Sequence, residues 1–144
     1  MVETFSIGFT GTQEGMTVNQ KETINYIFGH RNFNISEVHH GDCVGSDKDF
    51  HDIAQKWGFK IVLHPPIKPD KRAFCQGAEE EYPKKDYLVR NKSIVNNTDM
   101  LLATPATKDM KQRSGTWSTI RYAKKIKKRL IIIFPDGKTE TTWA

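Results

Sequence analysis

Cysteine is scarce: among 144 residues only Cys43 and Cys75 carry thiols. Neither sits in a C-x-x-C or comparable spacing, so the pattern argues against a disulfide framework and against a zinc site, and both thiols are expected to be reduced. No apolar run approaches the roughly 18 to 20 residues of a membrane span, and no basic-then-apolar signal is read at the N-terminus. The expectation is a cytoplasmic protein, in the host cytoplasm if the chain is virus-encoded, with no membrane partner. Repeats, linkers and low-complexity tracts are also missing, which leaves residues 1–144 as one domain with a single substantial core. The G-x-G-x-x-G fingerprint and the G-K-[ST] ending of a P-loop are absent, so neither NAD nor Mg-ATP is favoured and no cofactor is expected.

What is present is an excess of positive charge, 22 Lys and Arg against 17 Asp and Glu, which suits a polyanionic partner, nucleic acid or a phosphorylated small molecule. Short β-branched runs ending in Gly or Pro turns alternate with stretches of helical spacing. Phe5 to Phe9 reads as a first strand, stopped at Thr10-Gly11-Thr12. Thr17 and Gln20 then form a capping box before a helix with Ile24, Ile27 and Phe28 on one face. "SEVHHGD" is a second strand. It leads through Cys43-Val44-Gly45 to a helix carrying Phe50, Ile53, Ala54 and Trp57, closed by Gly58. "FKIVLHPP" is a third strand, and residues 67–83 form an irregular lid or insertion. A helix from about Lys84 to Asn97, with Leu88, Ile94 and Val95 inward, precedes a fourth strand, "DMLLATPA". After the loop 107–114, the helix in "RSGTWSTIRYAKK" leads to a fifth strand, "RLIIIFPDG". The pattern predicts an α/β, Rossmann-like doubly wound domain around a mostly parallel five-stranded sheet of order about 3-2-1-4-5.

In that order strands 1 and 4 flank the switch point, so a ligand crevice is expected between loops 10–16 and 105–116. Thr10, Gly11 and Thr12 would bring backbone donors to one side. Across from them, Gly115 and Thr116 stand at a helix start whose N–H groups and dipole favour an anion, with hydroxyls from Ser114 and Thr116 and charge from Arg113; the alternative is an ordinary serine cap. Trp117 is a base-stacking or a packing residue. In "HGDCVGSD", Gly41 ends a strand and Gly45 allows a tight turn, while Ser46 or Asp47 caps the helix with Asp49 at the capping-box position. Asp42 accepts either a ribose hydroxyl or a bond from the next loop. Arg90, with Asn91, is a bidentate phosphate ligand or a surface arginine in an ion pair. His39 and His40 point to opposite faces of their strand and His64 stands alone, so structural or solvent-facing roles are expected and no metal site. "KKIKKR" reads as a nucleic-acid patch or, preferably, as a solvated helix end whose cations complement the dipole.

Together, "GFTGTxxGMT", "HHGDCVGSD", "HPP…RA", "RNxxIVNNTDMLLATP" and "RSGTWSTIRYA" resemble the SLOG group, the Rossmann-like superfamily that joins the DNA-processing protein A (DprA) and the LONELY GUY phosphoribohydrolases. The likeness is greatest to its small stand-alone members related to YspA and YpsA. LONELY GUY enzymes cleave the N-glycosidic bond of nucleoside 5′-monophosphates, using an arginine in an R-K-x-x-M context and a glutamate closing P-G-G-x-G-T-x-x-E. Arg90 matches the arginine and Gly115-Thr116 the G-T, but Thr119 occupies the glutamate position. Threonine neither stabilises an oxocarbenium-like charge nor activates water as a carboxylate does. The resemblance therefore implies a homo-oligomeric module that senses or sequesters a nucleotide-derived molecule, such as a nucleoside monophosphate, an ADP-ribose derivative or a cyclic nucleotide. Two alternatives accompany it: a phosphoribohydrolase with a relocated carboxylate, Asp42 or Glu14, helped by Arg90, and a single-stranded nucleic-acid binder.

Overall fold

Apolar side chains on alternate residues of a strand face opposite sides of a sheet, and the central strands here are apolar on both. On β5 (Met100–Thr104), Met100 and Leu102 enter one buried cluster while Leu101 and Ala103 enter another. The computed structural model, which describes residues 3–142, therefore has a sheet covered on both faces. Its remaining elements, in chain order, are β1 (Thr4–Gly11), α1 (Val18–His30), β2 (Asn34–His40), α2 (Ser46–Trp57), β3 (Ile61–Leu63), a 3₁₀ turn at Pro69–Lys71, β4 (Glu80–Glu81) and α3 (Tyr87–Asn96). Then come β5, α4 (Gly115–Lys125), β6 (Arg129–Ile133) and β7 (Thr139–Thr142).

The sheet runs β4-β3-β2-β1-β5-β6-β7 and is parallel except for β7, which returns antiparallel to β6. The five strands expected from the sequence are β1, β2, β3, β5 and β6, and they lie in the expected order. Two short edge strands extend the five to seven. β4 is a pair of exposed glutamates beside Val62 and Leu63, poor in β-propensity and too short to show a period. β7 closes a hairpin through Asp136-Gly137, a favoured turn dipeptide that the apolar end of β6 overshadows. One face packs α1 and α2, with Phe9 and Phe50 stacked at 4.3 Å, and the other packs α3 and α4 through Ile94, Val95, Trp117 and Ile120. Among the described residues no helix is long and apolar enough to cross a membrane.

The Thr17–Gln20 capping box forms on α1, but three helix details depart from the sequence reading. α2 is capped by Gly45 at φ 88°, not by Ser46 or Asp47. A Cβ there would lie 2.2 Å from the Gln13 carbonyl oxygen, so the loop after β1 crowds the cap. Asp47 instead accepts from the Cys43 N–H and Asp49 from the Met16 N–H. Trp57 is 39% exposed, its indole N–H donating to Asn25. α3 begins at Tyr87, and Leu88 is 58% exposed because the buried stripe runs through Arg90, Asn91, Ile94 and Val95. Two residues of helix, about 200°, put Leu88 on the opposite side from Arg90.

Candidate functional site

The chain winds outward from β1 through β2 and β3, then returns to the far side of β1 as β5. At that reversal a cleft of about 330 Å³ opens, with Gly11, Thr12, Gln13 and Glu14 on one side and Thr107, Lys111, Ser114, Gly115 and Thr116 on the other. Ser114 is the N-cap of α4, its hydroxyl accepting from the Trp117 N–H at 3.2 Å. Gly115 and Thr116 remain as the first-turn donors, at the positive end of the helix dipole. A Cβ on residue 115 would stand 2.8 Å from Tyr87 Cε1, so glycine here lets the Tyr87 ring lie against the helix start. Trp117 is buried in the α3–α4 cluster, and its indole N–H donates to Thr107 Oγ1 at 3.3 Å, which makes it a packing residue. Arg121 holds the 107–114 loop by donating to the carbonyls of Lys111 and Gln112. The Thr119 hydroxyl donates to the Gly115 carbonyl at 2.8 Å.

Beneath the cleft, Gly11 is hemmed in. A Cβ there would meet Ser46 Cβ at 2.4 Å and Thr104 Oγ1 at 2.5 Å. The hydroxyls of Thr12, Ser46 and Thr104 are buried without a hydrogen-bond partner, an uncommon state that marks polar capacity held beside the cleft. Thr10 is buried on the strand just before them.

Gly41, Asp42, Arg90 and Asn91 gather elsewhere, in a buried polar network under the ends of β2 and β3. Arg90 is 2% exposed; it donates to the carbonyls of Gly41 (2.5 Å) and His64 (3.1 Å), to Asn91 Oδ1 (2.8 Å) and to Cys43 Sγ (3.4 Å), with its guanidinium 4.9 Å from the Tyr87 ring centre. It is therefore no surface arginine. A Cβ on Gly41 would lie 2.4 Å from Arg90 Nη1, so that glycine makes room for the guanidinium. Asp42, fully buried at φ 54°, accepts from Arg72 Nε at 2.7 Å and the Cys75 N–H at 2.8 Å, the loop-bonding alternative of its two readings. Asp47 is also buried there, and desolvation raises its carboxyl to about 6 against the pull of Arg90. Arg113 is exposed on the loop before α4.

The adjacent histidines do take opposite faces, and each finds a histidine partner in the interior. His39 Nδ1 lies 2.7 Å from His64 Nε2, while its Nε2 meets Glu37 at 2.5 Å. On the other face His40 Nε2 lies 2.9 Å from His51 Nδ1. The donor atoms of His40, His51 and Cys75 fall within 4.8 Å of one another, a grouping that suits a metal in type and distance. The hydrogens argue otherwise. The Asp42 N–H donates to His40 Nδ1, so the His40 proton is on Nε2 and goes to His51 Nδ1, leaving the His51 Nε2–H for the Gln76 carbonyl at 2.7 Å. A neutral imidazole ligand needs a free lone pair facing the ion, and neither ring has one to offer. Burial lowers the pKa of His39, His40 and His64, the last to about 3.

The cleft thus unites the residues after β1 with the start of α4, and Tyr87, which lines it, also lies over the Arg90 guanidinium of the buried Asp42–Arg90 network. Sequence reasoning missed Tyr87, which lines the same cleft; Gln13 and Lys111 line it too, from the loops 10–16 and 105–116 expected there, though spacing singles out neither. The available signal for Tyr87 was Asp86, the N-cap position that starts α3 one residue earlier. No known family model, curated protein or solved structure matches the chain; its fold is a mostly parallel, Rossmann-like doubly wound α/β domain.

Proposed function

We propose that the chain is a small SLOG-type domain that binds a phosphorylated, nucleotide-derived molecule in the switch-point cleft and senses or sequesters it. The observation that carries this reading is the start of α4, where two first-turn N–H groups, the Ser114 cap and Lys111 border a cleft opposite the Gly-rich end of β1. Backbone donors at a helix start are matched to a phosphate, and the dipole adds to the attraction. Nucleoside monophosphates, ADP-ribose derivatives and cyclic nucleotides are the candidate ligands.

Binding is favoured over cleavage by the carboxylates. Thr119 spends its hydroxyl on the Gly115 carbonyl, and Asp42 is occupied by Arg72 and Cys75. A second reading, N-glycosidic hydrolysis, rests on Glu14, the acidic side chain that lines the cleft. Nucleic-acid binding through the basic end of α4 has less support, because Lys124 pairs with Glu140 and Lys128 donates to the Thr98 carbonyl. A homo-oligomer suits the run of exposed Tyr87, Leu88 and Val89 on α3.

The test is a panel of nucleoside monophosphates, ADP-ribose derivatives and cyclic nucleotides, read by thermal shift and by chromatography of released base. Stabilisation with the ligand recovered intact is expected. Released base, lost in Glu14→Gln, would establish the hydrolase. Binding to oligonucleotides alone, weakening steeply with salt, would overturn both.

A further inference from the structure

Behind Gln13 and Tyr87 lies a second chamber of about 280 Å³, and these two residues line both cavities, so the chambers adjoin across them. Its other walls include Cys43, Pro66 and Ile67, which are apolar, and a rim on which Lys68 and Lys71 are balanced by Asp70 and Asp86. We infer that the two chambers form one site for a two-ended ligand, with the phosphate at the start of α4 and a heterocyclic ring in the chamber behind Tyr87. This rests on the nucleotide reading of the cleft and adds to it where the ring goes and which segment grips it.

Three observations support the assignment. Each chamber alone is at or below the small end of the roughly 300–1,000 Å³ that ligand sites span, whereas the two together fall well inside it. The chambers also differ in character: the cleft has a helix N-terminus and Lys111, while the second has apolar walls and balanced charge, as an uncharged ring requires.

The third observation is that the outer wall is built in advance. Residues 66–72 have little regular structure, yet they are fastened at both ends. The Ile67 N–H donates to the Lys85 carbonyl, the Val44 N–H donates to the Lys71 carbonyl, and Cys43 bridges to Arg72. Asp42 secures the exit: its carboxylate takes Arg72 and the Cys75 N–H, and its carbonyl takes the Ala73 N–H at 2.8 Å. A buried non-glycine residue at φ 54° with all these bonds is strained backbone held in place by its surroundings. Asp42 is thus a positioning residue for the wall, and a wall ordered before binding costs the ligand less on entry.

Ile67 is 52% exposed, so Ile67→Asp changes the chamber without removing a core residue. Titration calorimetry on the full chain would compare ribose 5-phosphate, the anionic end alone, with adenosine, guanosine, cytidine and uridine 5′-monophosphates. The wild type is expected to bind at least one nucleotide about tenfold or more tighter than ribose 5-phosphate, as ring stacking and burial would give. Ile67→Asp should erase that advantage by lowering nucleotide affinity far more than ribose 5-phosphate affinity, with the melting temperature unchanged. Equal affinities in the wild type, or a variant that keeps the advantage or loses affinity for both ligand types alike, would overturn the two-chamber site while leaving phosphate binding in place. Failure of every ligand to bind the wild type would instead overturn the nucleotide reading together with this one.

Discussion

Replacing Arg90 with methionine separates a structural arginine from a ligand-binding one. The substitution keeps most of the side-chain volume but removes donors to Gly41, His64, Asn91 and Cys43, and it leaves two buried backbone carbonyls without that partner. A single hydrogen bond to a charged group contributes about 1.5–3 kcal/mol, and such bonds from one guanidinium do not add fully. Breaking a buried charged network typically costs about 3–5 kcal/mol. Loss of the cation also removes what holds the Asp47 carboxyl down, adding to the penalty of ionising it. A destabilisation of about 3–5 kcal/mol is therefore expected, and at roughly 2–4 °C per kcal/mol for a chain of this size the melting temperature should fall by about 6–20 °C. Urea and thermal denaturation followed by near-ultraviolet circular dichroism would measure it. A variant that melts within about 2 °C of the wild type, yet no longer binds nucleotide, would refute the reasoning by showing that the guanidinium serves the ligand.

Other outcomes follow from the same geometry. Gly115→Ala sets a Cβ 2.8 Å from Tyr87 Cε1; because that ring can swing away, stability should change by less than about 1 kcal/mol while phosphate affinity, read by calorimetry, falls. Gly45→Ala forces a left-handed φ on alanine and a Cβ 2.2 Å from the Gln13 carbonyl oxygen; denaturant melts should show a loss of about 2 kcal/mol or more. Acid should destabilise the fold. His39, His40 and His64 have lowered pKa values, chiefly through burial, so their neutral rings favour the native state above the usual 6.5, and that stability is lost as pH falls below it. Asp47, raised to about 6, acts in the opposite sense, favouring the fold below 3.8 and losing that contribution as pH rises through 6. Three histidines outweigh one aspartate, so melting temperatures measured from pH 8 to 4.5 should decline below about pH 6.5, and a flat profile would contradict the buried neutral pairs.

The five strands of the expected order were legible because each is a short apolar or β-branched run stopped by Gly or Pro, and their order followed from the alternation with helices. The cleft was legible for the same reason, since the switch point of a doubly wound sheet follows from strand order and Ser114-Gly115-Thr116 stands at a helix start. Local pattern did not reveal partners distant in the chain. Asp49 looks like a capping residue, yet it bonds Met16, 33 residues away. Arg90 reads as a phosphate ligand or a surface arginine and the histidines as structural or solvent-facing groups, whereas α3 carries Arg90 into a buried network and β2, the end of β3 and α2 bring the histidines into buried pairs. Residues 67–83 have no periodicity to read, because their order comes from partners elsewhere in the chain, Asp42 for Arg72 to Cys75 and β3 for Glu79 to Tyr82, rather than from their own spacing.

Phosphate recognition at the start of α4 is the claim on which the account depends. Calorimetric titration of the wild-type chain with each nucleoside 5′-monophosphate and with its unphosphorylated nucleoside tests it directly. At least one monophosphate should bind about tenfold or more tighter than its nucleoside, an advantage that salt reduces only in part because the site is partly enclosed. Equal affinities for the two, or no binding of either, would contradict it.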